Sequence, residues 1–554
     1  MYKITIVLAL LLSTMLPLHA ERKHEVRATW LTTLGGMDWP SNKATSPAGI
    51  KRQKEELCQI LDQLKAANFN TVLFQTRLRG DVIYPSRHET FAESLAGKTG
   101  KDPGYDPLQF AIEECHKRGL ALHAWVVTIP VGNTRQVKLL GKHSVVKKEP
   151  SICKQFNGTW YLDPGNPKTD QYLSSIVKEI VTRYDIDGIH FDYIRYPEQG
   201  KKFPDQQSFK KYGRKQSLEE WRRSNITRIV RRLYTDIKSL KPWVVVSSSP
   251  VGKYNDTQRY QSLGWNAYSE VYQDAQAWLK EGIHDALFPM MYFRKNQFYP
   301  FALDWIENSN ERWIVPGLGI YFLDEREGNW NLDDVVRQIY FTRNQSFAGQ
   351  AYFRNKFLLN NTKGIWEELK FNFYQAPAVT PPLTWIDSIA PQAPTHPSFT
   401  HSDRSVHLEW SPSTTQKAGG IFYRIYASDT YPVDTECGEN IVEPGIKENK
   451  YTFTPSVPWL KRTFWTVTTV DRYGNESAPL VMNQPADNSL SIFENELPKI
   501  PAGCTLVISD ATGLEILRTR KDNPSVLNQL RNGFYRISLI QADGTKKLIG
   551  TLIR

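Results

Sequence analysis

The chain predicts an α/β architecture: a (β/α)8 barrel, a β-sandwich after it, and a small C-terminal β module. Three observations carry this. From Val26 to about Lys370, short β-branched or aromatic runs alternate with amphipathic helical runs. A Pro-rich stretch at residues 376–394 then interrupts the alternation and reads as a stiff linker. Beyond it, strand-like runs follow one another through turns with no helical period between them.

The elements follow in order. Strand-like runs fall at Val26–Thr33, Thr71–Arg77, Ala121–Val127 and Gly188–Tyr196, then at Val244–Pro250, Ala286–Phe293, Trp313–Tyr321 and Gly349–Asn355. Helical runs lie between them. In Lys51–Asn68, Leu57, Ile60, Leu61 and Leu64 share a face; in Asp106–Gly119, Leu108, Phe110 and Ile112 precede a glycine stop. Thr169–Tyr184, Leu218–Leu240, Tyr268–Lys280, Asp333–Gln345 and Gly364–Lys370 complete the set. Apolar strands that alternate with helices suit a parallel sheet covered on both faces. Eight regular units favour a closed barrel over a doubly wound sheet. Val131–Asn166 is an insertion after strand three, where a barrel builds the walls of its active site.

Residues 1–20 read as a signal peptide. Lys3 precedes an apolar run from Ile4 to Leu12, and Ser13, Pro17 and Leu18-His19-Ala20 lead to charged Glu21-Arg22-Lys23. The run is too short for an anchor, and no later segment approaches 18 apolar residues, so an exported, soluble mature chain is expected. Five widely spaced cysteines suit neither a disulfide framework nor a zinc cluster. The formal charge of +11 comes from dispersed basic residues without a nucleic-acid motif, so no nucleic-acid partner is expected. An anionic glycan or an ordinary solvated surface accounts for it equally.

The barrel is expected over residues 21–375. Within 395–485, Leu408-Glu409-Trp410, Tyr423-Arg424-Ile425-Tyr426 and Trp465 to Asp471, followed by Tyr473-Gly474-Asn475-Glu476-Ser477, resemble a fibronectin type III domain over about 90 residues. Residues 486–554 form a small β module bounded by Asn-Gly and Asp-Gly turns. Its Leu530-Arg531-Asn532-Gly533-Phe534-Tyr535 run resembles C-terminal sorting modules of Bacteroidetes secreted proteins. Cell-envelope association through these modules is a further expectation; a plain accessory domain is the other reading.

A barrel takes its catalytic groups from the C-terminal ends of strands and the loops that follow. Strand four, Asp187-Gly188-Ile189-His190-Phe191-Asp192-Tyr193-Ile194-Arg195-Tyr196-Pro197, gives the clearest signal. By the two-residue period His190, Asp192 and Ile194 share a side, with Phe191 and Tyr193 opposite. A buried aspartate needs partners, and Arg195 and Arg77 are the candidates; a structural ion pair at the barrel mouth is the bland reading. His190 reads as a hydrogen-bonded core residue, and no second histidine lies at metal-ligand spacing, so neither metal nor cofactor is expected.

The segments Arg27-Ala28-Thr29-Trp30-Leu31-Thr32-Thr33, Gln75-Thr76-Arg77 with Gly80-Asp81 and Tyr84-Pro85-Ser86, and Asp187 to Tyr193 with Arg195-Tyr196-Pro197 resemble the glycosyl hydrolase-like 10 family. Ser249-Pro250-Val251-Gly252 and Pro289-Met290-Met291-Tyr292 fit as well. The resemblance spans essentially the whole barrel and implies an exported bacterial glycosidase. A relative that digests peptidoglycan glycan strands stripped of their peptides suggests a substrate. Many members carry two consecutive acids on strand four where this chain has Asp192-Tyr193, which leaves the second carboxylate open. Strands four and six are also similar to family-18 chitinases, but the general-acid glutamate of that pattern falls at Ile194, so that chemistry is not expected.

Glycoside hydrolysis normally needs two carboxyl groups. Asp192 is one; Asp81 is the first candidate for the other, with Glu325, Asp324 and Asp38 behind it, although Gly80-Asp81 also reads as a simple turn. Arg77, Arg79, Arg195 and Arg354 are candidates to hold substrate carboxylates such as a muramic lactyl group, or they balance nearby acids. Trp30, Tyr196 and Tyr292 are candidate sugar contacts or packing residues, as are Trp125 and Tyr321. The expected partner is a polysaccharide. The rival to a hydrolase is a non-catalytic carbohydrate-binding or envelope scaffolding protein on a degenerate barrel.

Overall fold

The computed structural model describes residues 22–553 apart from positions 199, 214, 403–404, 455–461, 485–490, 495–496, 501–503, 511, 521–523, 532 and 542–543. The expected leader lies outside the described residues. Eight parallel strands close a barrel: β1 (Val26–Leu31), β2 (Thr71–Arg77), β3 (Ala121–Val127), β4 (Gly188–Asp192), β5 (Val245–Ser248), β6 (Ala286–Leu287), β7 (Trp313–Ile314 and Gly317–Leu318) and β8 (Gly349–Tyr352). Each pairs in parallel with its sequence neighbour, and β8 returns to β1 through Val26 opposite Gly349 and Thr29 opposite Tyr352.

β6 and β7 are shorter than their apolar runs because of Pro289 and Pro316. A proline has no N–H to give a neighbouring strand, so the ladder breaks and resumes. Met290 bridges Val251 and Gly317 beyond the first break, and Gly317 rejoins β8 beyond the second. The helices carry local signatures. The helix Pro47–Ala66 is capped by the Ser46 side chain and Leu218–Leu240 by a Ser217/Glu220 capping box. Tyr268–Lys280 is not one helix but two, Ala267–Glu270 and Ala275–Lys280. Between them Tyr272 sits at φ +60° with its ring buried near Tyr196 and Arg222. The helix after β6, Tyr299–Glu307, escaped the sequence reading because its aromatic Tyr299-Pro300-Phe301 start lacks a polar cap and blurs the helical period.

Two cores result. The outer one, between strands and helices, holds Leu57, Val72, Ile189, Phe191 and Leu233 among many others. The inner one fills the barrel with Ala28, Trp30, Leu73, Trp125, Val127, Phe288, Trp313 and Ala351. Leu383 and Tyr473, from beyond the barrel, join this inner core at its N-terminal end, and Trp385 meets Trp313 edge to face at 6.1 Å. The Pro-rich segment therefore runs across the barrel floor, with Val379 N–H donating to the Lys23 carbonyl at 2.8 Å.

Two antiparallel sheets of three and four strands follow, from Thr395–His401 to Leu480–Val481, packed around Leu408, Trp410, Tyr423, Trp465 and Val467. A five-stranded sheet ends the chain with Lys546–Ile553 between Ser491–Glu494 and Phe534–Ile540.

Candidate active site

β4 delivers Asp192 to the barrel mouth and stops there. Tyr193 has φ +51°, a left-handed conformation that ends the strand alternation. Ile194 consequently does not share the Asp192 side; it drops into the outer core, while Tyr193 turns toward the barrel interior.

Asp192 is 6% exposed. Its Oδ1 accepts the Tyr193 N–H at 2.7 Å and the Ser249 hydroxyl at 3.1 Å; its Oδ2 accepts the Trp125 indole N–H at 3.2 Å. Three adjacent strand ends, β3, β4 and β5, thus converge on one carboxylate. An indole and a backbone amide can only donate, so this shell is complementary to the ionised acid. Burial nevertheless raises its pKa above the ordinary carboxylate range, with Arg195 and the three donors pulling the other way.

One layer deeper, His190 Nε2 lies 3.3 Å from the Trp30 indole nitrogen, which donates to it, and Nδ1 lies 3.0 Å from Ser247 Oγ. Burial holds its pKa well below the usual imidazole value, so it is a neutral core residue. Gly188 is required beneath it: a Cβ there would stand 2.5 Å from the His123 ring.

Asp81 is half-buried after β2 at the turn its Gly80-Asp81 sequence suggests, with Gly80 at φ +73° and Asp81 Oδ1 accepting the Arg79 N–H at 3.1 Å. Surrounding protein pushes its carboxyl up to about 7, and the charge of Glu89 adds to the shift. Glu325 lies on the exposed loop after β7, and neighbouring Asp324 is engaged by Arg326 at 2.9 Å. Asp38 is held by Arg354 and by the N–H groups of Thr32 and Lys356, so both Asp38 and Arg354 already have partners.

Beside Tyr193 opens a cavity of about 340 Å³. The insertion after β3 forms one wall: its hairpin Cys153–Phe156 and Thr159–Leu162 contributes Phe156, Asn157, Thr159 and Tyr161. Arg79, Arg195 and Glu198 come from the loops after β2 and β4. Glu198 was missed as a candidate, although it follows Asp192 by six residues in the loop the barrel rule singles out. Aromatic rings continue along the mouth. Tyr292, half-buried, stands 5.7 Å from Tyr321 and 5.5 Å from Phe353, and the negative charge of Asp192 acts on its hydroxyl.

Three residues expected to touch substrate are elsewhere. Arg77 is fully buried, forked onto Glu89 at 2.7 Å through both Nε and Nη2, with Nη1 on the carbonyls of Val127 and Thr128, so it has no group left for a ligand. Trp30 is 2% exposed inside the barrel, with Phe288 and Phe353 at 6.1 and 6.0 Å. Tyr196 is sealed in the outer core between Phe203 and Tyr272, and Arg222 lies over its ring. In each case an aromatic or cationic side chain near a strand end packs inward, which strand position alone does not reveal.

The family described as glycosyl hydrolase-like 10 matches residues 25–319. Over 481 residues the chain is 30% identical to "Glycosyl hydrolase YngK" of Bacillus subtilis (strain 168), covering 83% of this chain and 93% of that protein. Over 287 residues it is 33% identical to "Glycosyl hydrolase DigH" of Escherichia coli (strain K12), covering 48% of this chain and 65% of that one. Among solved structures, the PgaB (BpsB) glycoside hydrolase domain from Bordetella bronchiseptica aligns with a TM-score of 0.45 at 14% identity, over 62% of this chain and 98% of that domain.

Proposed function

The chain belongs to the glycosyl hydrolase-like 10 family, and from that premise we propose that it is an exported glycoside hydrolase cleaving O-glycosidic bonds of a polysaccharide, with peptidoglycan glycan strands as the substrate. The observation that supports this best is Asp192: a carboxylate held by the Trp125 indole, the Tyr193 N–H and the Ser249 hydroxyl at the C-terminal end of β4, in a mouth lined by Tyr193 and Tyr292. Aromatic faces offer stacking platforms to sugar rings, and a carboxylate among them supplies one of the two acidic groups that glycoside hydrolysis uses. Asp192 works ionised, as nucleophile or base. Asp81, lifted to about 7, works protonated, as the acid that delivers a proton to the leaving oxygen. The β-domains that follow hold the enzyme at the cell envelope.

The test is release of new reducing ends from a polysaccharide panel that includes peptide-free peptidoglycan glycan. Cleavage should fall by roughly 10²–10⁴ in Asp192→Asn, the range typical of an acid–base group, with folding intact. Full activity in that variant overturns the assignment of Asp192. Tight glycan binding with no product from any polymer favours the carbohydrate-binding reading instead.

A further inference from the structure

Arg195 is 3% exposed, yet its guanidinium makes no hydrogen bond to any described residue; Nε and Nη1 are buried without partners. Its guanidinium carbon lies 4.5 Å from the ring centre of Tyr193 and 4.9 Å from that of Trp265. A buried cation is costly unless paired, and fully buried arginines elsewhere in this barrel are paired: Arg77 with Glu89 and Arg222 with Asp205. Asp192 offsets part of the charge, but the two form no ion pair. Arg195 also lines the 340 Å³ cavity, together with Arg79.

We propose that this cavity is a carboxylate subsite, in which the stacked guanidinium of Arg195, assisted by Arg79, binds the carboxylate of an acidic sugar next to Asp192. The two rings hold the guanidinium in place, and its N–H groups suit paired bonds to a planar carboxylate. Asn157 and Tyr161, on the opposite wall, offer the polar and aromatic contacts a sugar ring needs. Glu198, exposed at the rim, repels a second negative charge and favours a glycan whose acidic groups are spaced rather than contiguous. The inference rests on the glycosidase reading of the same mouth, but it makes a separate claim: acidity of the sugar, not chain type, determines recognition. The carboxylate can come from a lactyl ether, as on muramic acid, or from a uronic acid, and the chemistry at Arg195 is shared.

Binding to the full chain carrying Asp192→Asn separates recognition from cleavage. The probes are a GlcNAc–MurNAc tetrasaccharide, a tetragalacturonate, each with its carboxyls reduced to alcohols, and neutral chitotetraose, titrated by calorimetry. At least one acidic probe should bind tenfold or more tightly than its reduced form, chitotetraose should bind no more tightly than the reduced forms, and Arg195→Met should abolish the acidic-against-reduced difference. The lactyl and uronate arms then say which acid is meant. Equal affinity for acidic and reduced forms of both probes overturns the proposal, as does a preference that survives Arg195→Met. If Arg195→Met does not fold, the acidic-against-reduced comparison still decides, and Arg79→Met should weaken the same preference. Discrimination without cleavage by the native chain would keep this inference and sink the hydrolase reading; cleavage without discrimination would do the reverse.

Discussion

At the N-terminal end of the barrel, the acids that precede β1, β4 and β6 are each tied down. Glu25 is gripped by Arg27 and Arg343 at 2.7–2.8 Å. Asp187 meets His116 and the Leu122 N–H at 2.8 Å, and Arg472 from the following sandwich. Asp285 takes Lys238 at 2.6 Å, the Val246 N–H at 2.8 Å and the Trp385 indole at 3.0 Å. At the C-terminal end, Asp192 has no ion-pair partner among the described residues, Asp81 accepts one local backbone N–H, and the Arg195 guanidinium donates no hydrogen bond to any described residue. The pKa shifts follow: Glu25 and Asp187 are held below the usual carboxylate range, the latter at about 2, whereas Asp192 and Asp81 lie above it. The floor acids are thus paired, whereas at the mouth Asp38 pairs with Arg354 but Asp192, Asp81 and Arg195 form no ion pair among the described residues.

The strongest way to break this contrast is Asp81→Asn. Cleavage should fall by about 10²–10⁴, and the high-pH limb of the activity profile should change with it. A general acid must be protonated, so native activity should decline as pH rises through about 7. Stability should move the same way. The folded carboxyl titrates near 7 against 3.8 when unfolded, so its contribution is full below about 4 and lost as pH rises through 7. Above pH 7 the variant should therefore melt higher than the native protein. Unchanged activity would hand the acid role to Glu198, which lines the same cavity, and Glu198→Gln would then show the loss instead.

At the floor the effect should be on folding alone. Glu25→Gln leaves Arg27 and Arg343 facing one another across a neutral amide, both largely buried. Removing one member of a buried pair costs about 3–5 kcal/mol, which denaturant unfolding would read, while kcat at a permissive temperature should stay native. The pKa of Glu25 is depressed, so its stabilisation is present above the unfolded value of 4.5 and fades as pH falls below it; the variant should lose its disadvantage in acid. A loss of kcat instead would mean that floor and mouth are not separable.

How much of this was legible in sequence depended on whether one segment held the whole signal. The bounds of β2 and β3 were readable because a largely apolar, β-branched or aromatic run lies between turn or loop residues, and Leu218–Leu240 because cap, face and stop lie in one stretch. β6 and β7 were readable as runs but not as ladders, since Pro289 and Pro316 cut their hydrogen bonding. That Asp192 is a buried acid at a strand end was legible from its position and type. Its surroundings were not, because the turn at Tyr193 reverses the expected facing of Ile194. The state of Arg195 was likewise hidden: it depends on Trp265, 70 residues away, and on acids that went to other arginines.

The contrast between the two ends can be sharpened with a smaller effect, at the seam between barrel floor and sandwich. His116 bonds Asp187 at 2.8 Å, and Asp187 in turn meets Arg472 of the sandwich. The pair raises the pKa of His116 above its usual value, chiefly through the charge of Asp187 acting against burial. A raised histidine contributes stability that is complete below its unfolded value of 6.5 and disappears as pH climbs through the folded value. His116 is about a third exposed, so solvent screening limits the contribution to about 1 kcal/mol or less. His116→Gln should therefore lower the melting temperature slightly at pH 5.5 and not at pH 9, with glycan cleavage unaffected at both. A deficit that persists at pH 9 would show that the imidazole holds the seam by packing rather than by charge. The floor would then owe part of its rigidity to the same kind of contact that fills the barrel above it.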